Sequence, residues 1–143
     1  MTLFILDDDE RNSLLFHIRI YLAVTVFVAL FGGIYEIFSH EVYSYYMIYA
    51  FGIPLVLGVV PSIIILMHGK NMPSRAALNS YNSGVAMLTL GSVVKGILDI
   101  YGTTNVLLLV YPIAGCMLII IGMILAYVSI KRKNRNKVIS EVA

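Results

Sequence analysis

Three ionisable residues stand inside long apolar stretches of this 143-residue chain: Glu36, Lys95 and Asp99, with His40 and Glu41 close by. An ionisable group at membrane depth is a functional hypothesis by default. Lys95 and Asp99 are four apart, so on a helix they share a face. Lys95 lies roughly 9 Å below the end of its run at the helical rise, within reach of a snorkelling side chain. If the runs carrying them touch, Glu36 joins the pair. Such a cluster can do three things. It can lock two helical hairpins in register, exchange protons or cations, or line a ligand pocket, and the first reading leads. Glu36, His40 and Asp99 are also ordinary metal-ligand types. They need a helix continuing through Ser39, and the turn there argues against it, so no metal and no cofactor are assigned.

Four apolar runs must position these residues. The chain is 59% hydrophobic and 13% charged, against about 25% charged in a soluble domain. Each run is near the ~20 residues that cross about 30 Å of hydrocarbon. The spans are expected at about 18–38, 43–67, 81–101 and 106–130. A lead-in at 1–17 and a basic tail at 131–143 flank them. The expected fold is all-α: a four-transmembrane-helix bundle of two antiparallel hairpins. In the lead-in, Asp7, Asp8, Asp9 and Glu10 suit a helix N-terminus, where carboxylates favour free N–H groups. Pro54 and Pro61 bend the second span. Tyr43, Tyr45, Tyr46 and Tyr49 fit an aromatic belt at its start.

Charge placement gives orientation. Nine of the ten Lys and Arg lie in or beside the lead-in, the 68–77 connector and the tail; Lys95 is the tenth. The positive-inside rule puts those three segments, and both termini, in the cytoplasm. Lys131, Arg132, Lys133, Arg135 and Lys137 are expected to meet anionic headgroups. Nucleic acid is not expected, because no folded basic surface accompanies the tail. Cys116 is the single cysteine, which rules out an internal disulfide or a CxxC centre.

A shift of 63 places lays one hairpin on the other. Gly33 meets Gly96, Glu36 meets Asp99, and Phe38 meets Tyr101. This suggests a parallel 2+2 repeat about an axis along the membrane normal. Within it, Ala29-xxx-Gly33 and Ser92-xxx-Gly96 share a register. Small residues four apart let helices approach closely in lipid, so spans one and three are expected to cross there.

The segments IYEIFSHEVYSYYMIYAFGIPL and YNSGVAMLTLGSVVKGILDIYGTTN resemble those of small multi-pass membrane proteins of Gram-positive bacteria. The resemblance implies the spans and implies no activity. Small multidrug exporters are also four-span proteins of this size, but their signature acid lies mid-span, whereas Glu36 lies near the end of its run. No phosphate-binding glycine loop, HExxH or nucleophile elbow is present. The expectation is therefore a non-enzymatic accessory or small subunit of a membrane assembly, or a homo-oligomer. The alternative is a small transporter or channel with a polar site near the outer face.

Overall fold

The computed structural model describes residues 8–39, 42–68 and 72–142, and they are helical, with no strand among them. Helix α1 spans Asp8–Ile37 and opens on Asp8, Asp9 and Glu10 in its first turn. Thr25, Val28 and Gly32 are buried on one face, the three-and-four spacing of a single helical stripe. Its outward face carries a ladder of stacked rings, Phe27–Phe31 at 6.4 Å and Phe31–Tyr35 at 5.9 Å.

The second apolar run departs from the continuous, bent helix expected over 43–67. It forms a single turn, α2 (Tyr45–Ile48), then breaks at Tyr49–Phe51. It resumes as α3 (Gly52–Pro54), widens into a π turn (Leu55–Val59) and ends as α4 (Val60–His68). Proline chemistry accounts for the break. Pro54 has no N–H for the carbonyl of Ala50, and its ring crowds that carbonyl. Ile53 N donates to Ala50 O instead, at 3.3 Å, and the chain tightens there. Pro61 likewise removes the donor for Leu57, and the helix widens just before it.

Helix α5 (Arg75–Ile100) begins at Ser74, whose hydroxyl accepts from Ala77 N. Its first residue, Arg75, lies six residues before the span expected at about 81–101. The helix ends in a Schellman arrangement: Thr103 N donates to Leu98 O at 2.9 Å and Gly102 N to Asp99 O at 3.1 Å. Gly102 sits at φ +71°, the left-handed region that this cap requires and glycine tolerates. Asn105 caps a 3-10 turn (Val106–Leu109), accepting from Leu107 N at 2.9 Å. Helix α6 (Val110–Val142) follows. It does not stop at Ile130 but carries the basic residues on a helical extension.

Glycines seven apart pack α5 closely against the backbone of α6. A Cβ on Gly84 would fall 2.7 Å from Gly115 O, and one on Gly122 would fall 2.7 Å from Tyr81 N. Nothing larger than hydrogen fits there. At the end opposite the two hairpin turns, Lys133 pairs with Glu10 at 2.9 Å and Ser74 N donates to Ser129 Oγ at 3.1 Å. The start of α1, the start of α5 and the basic end of α6 thus meet at one end of the molecule.

Three helices, Asp8–Ile37, Arg75–Ile100 and Val106–Asn136, are long and apolar enough to cross a membrane. The helical stretch Gly52–Met67 is shorter. Large apolar side chains cover the outside: Phe27 is 68% exposed, Val106 82% and Ile113 59%. Water tolerates such continuous apolar surface poorly; lipid does not penalise it.

Candidate charged cluster at the hairpin end

The last turn of α1 supplies Glu36, and the last turns of α5 supply Lys95 and Asp99. Lys95 Nζ donates to Asp99 Oδ1 at 2.5 Å and lies 5.6 Å from the Tyr46 ring centroid. Both members of the pair are about 30% exposed. Glu36 forms no ion pair among the described residues. Instead the two acids converge on Ser44, which is 3% exposed. Its N–H donates to Glu36 Oε1 and its hydroxyl to Asp99 Oδ2, each at 3.3 Å. Ser44 is the N-cap of α2, yet its hydroxyl does not cap the helix. The side chain serves α5 instead. The cluster is therefore Glu36–Ser44–Asp99–Lys95, and it ties the end of α1, the start of the second run and the end of α5 together.

His40 and Glu41 lie outside the described residues. The Glu36, His40, Asp99 set is thus represented by its two carboxylates. No group of three His, Cys, Asp or Glu placed to hold a metal occurs among the described residues.

The expected crossing of spans one and three is corrected by Met47. Ala29 and Gly33 point outward, and a Cβ on Gly33 would meet nothing within 4 Å. Met47 is 1% exposed and stands between α1 and α5. A Cβ on Gly32 would lie 3.1 Å from Met47 O, and one on Gly96 would lie 2.9 Å from Met47 N. The break after Ile48 allows this, because a single turn of helix can wedge where a continuous helix could not. Gly96 keeps its close-packing role with a different partner. Ser92 does other work: its hydroxyl donates to Tyr46 O at 2.8 Å. Gly33 and Gly96, aligned by the 63-residue shift, therefore have different surroundings.

Sequence reasoning missed Ser44, Tyr46 and Met47. Ser44 carried a usable signal, a small hydroxyl residue immediately before an apolar run. It also missed the polar contacts nearer the terminal end. Tyr21 OH donates to Asn82 Oδ1 at 2.6 Å, and Tyr81 OH to Leu57 O at 2.7 Å. Both phenols and Asn82 line a cavity of about 290 Å³ between α1, α4, α5 and α6.

No protein-family model, curated protein or solved structure matches this chain.

Proposed function

We propose that the chain is a multi-pass membrane protein with four membrane-crossing segments, both termini cytoplasmic. Its role is that of a non-enzymatic accessory or small subunit in a membrane assembly. Three long apolar helices support the crossing, and the fourth segment, 45–68, reaches membrane length only as the sum of its broken pieces. The gathering of Glu10, Ser74 and Lys133 at one end supports the common side of the charged segments. The parallel 2+2 relation belongs to the same proposal. Its support is the sequence register and the convergence of the aligned acids, Glu36 and Asp99, on Ser44.

One observation carries the accessory role: the two acids of the charged cluster are engaged internally. Asp99 holds Lys95 and Ser44, and Glu36 holds the backbone of Ser44. A network that fixes its own backbone acts as a staple between hairpins. In-membrane crosslinking should join the chain to one partner in constant ratio. Glu36-dependent proton flux by the purified protein in vesicles would overturn the role.

The transporter reading keeps one specific support. The second segment is discontinuous, and its break lies beside the cluster. Broken helices near charged groups are a recurrent way of building transport sites.

A further inference from the structure

A groove of about 510 Å³ opens between the second segment, α5 and the start of α6 at the hairpin end. Ile53, Leu88, Leu109 and Pro112 form apolar walls. Lys95, Thr104 and Asn105 supply the polar end. All three can donate. An ammonium has three N–H donors, and Asp99 takes one of them. Asn105 accepts through Oδ1 from Leu107 N, which leaves its amide N–H groups. Asp99 pairs with Lys95 without lining the groove, and the Tyr46 ring, which does line it, lies 5.6 Å from Lys95 Nζ. Among the described residues, Lys95 is also the one Lys or Arg at this end.

We propose that this groove binds one diacyl phospholipid, its phosphate on Lys95 and the Thr104–Asn105 turn and an acyl chain along the Ile53–Pro112 wall. The proposal rests on the membrane reading above. Two features select the class. A lysine ammonium, which can only donate, at the polar end of an apolar slot calls for an anionic acceptor, which phosphate is. Lys95 is within the last turns of α5, the depth from which a stretched lysine reaches headgroup phosphates. An apolar slot without Lys95 would admit any acyl chain.

Purified full-length protein in mild detergent, incubated with dioleoylphosphatidylglycerol, dioleoylglycerol or oleate, tests this by native mass spectrometry. Wild type should retain one phosphatidylglycerol, with dioleoylglycerol held roughly tenfold less, the size of one charge-assisted contact, and oleate, which keeps a charge but lacks the second chain and the phosphate oxygens that also reach the Thr104–Asn105 turn, held less tightly as well. Lys95→Met alone strands Asp99 and can disturb the fold. The informative variant is therefore Lys95→Met/Asp99→Asn, which leaves no charge unpaired and should lose the adduct roughly tenfold. Lys95→Arg should keep it. Equal retention of dioleoylglycerol would show apolar filling only and overturn the proposal. Equal retention of oleate would overturn the phosphate assignment, as would an adduct unchanged in the double variant. Release of the chain from bilayers by alkaline carbonate would sink the membrane reading itself, which the adduct pattern does not test.

Discussion

The phenol of Tyr81 donates to the carbonyl oxygen of Leu57 at 2.7 Å, across from α5 to the widened turn of the second segment. Leu57 is the residue whose carbonyl Pro61, four places on, cannot pair. Ser92 does the same for Tyr46 at the other break. Helix α5 thus supplies, from its side chains, hydrogen bonds that the broken segment cannot make for itself. In lipid no water would replace them.

Tyr81→Phe should therefore lower stability in detergent by about 1–3 kcal/mol, the cost of stranding a buried acceptor. In a Pro61→Ala background the helix regains a donor, and the same change should cost less. A coupling of at least about 0.5 kcal/mol between the two sites is expected from a double-mutant cycle. Equal losses in both backgrounds would mean that the N–H restored at position 61 does not take over the Leu57 carbonyl.

Close packing gives a second test. Gly84 and Gly122 leave no room between α5 and α6, whereas Gly33 faces open space. Gly84→Leu and Gly122→Leu should each destabilise by about 1–3 kcal/mol or more through overpacking. Gly33→Leu should leave the melting temperature unchanged. A large effect at Gly33 with none at Gly84 would restore the crossing read from the Ala29/Gly33 pair.

That reversal marks where sequence stopped being legible. The long helices, the turns at Ser39 and at Gly102–Asn105, and the gathering of Glu36 and Asp99 at one end follow from apolar length, turn chemistry and antiparallel connection. Gly32 and Gly33 differ by one residue, or about 100° around the helix, and the stretch 26–34 around them has no polar side chain to set that angle. The break at Tyr49–Phe51 is hidden for a related reason. Prolines announce a bend, but whether the chain bends or stops depends on what fills the gap, here Met47 between Gly32 and Gly96. Ser44 joins partners up to 55 residues away, a pairing that no local pattern encodes.

Orientation is tested by single cysteines in a Cys116→Ala background. Thr103 is exposed at the hairpin turn and Asn136 is exposed on the far extension of α6. Thr103→Cys should react with an impermeant thiol reagent added to intact cells, and Asn136→Cys should react only after the membrane is opened. The reverse pattern would invert the protein in the membrane.

The charged cluster separates the staple from the transport site. Removing Lys95 leaves Asp99 beside Glu36 with Ser44 as their shared donor. Breaking a partly buried pair on one side strands a charge, which costs more than removing both partners. Lys95 and Asp99 are each about 30% exposed, so solvent relieves part of that cost. The order of the effects is the informative quantity. If the cluster is a staple, Lys95→Met should melt at a lower temperature than the triple variant Glu36→Gln, Lys95→Met, Asp99→Asn. Ser44→Ala should also destabilise, by about 1 kcal/mol, because it removes the hydroxyl that ties α2 to α5. A transport site behaves otherwise: its acids change charge state during turnover, so single neutralisations should leave the melt almost unmoved and abolish flux. Melts of the wild type, Lys95→Met, Ser44→Ala and the triple variant, run beside proton flux in vesicles of the purified wild type and of Glu36→Gln, decide between these. A single variant as stable as the triple would end the staple reading, and flux that disappears with Glu36→Gln would put the transporter in its place.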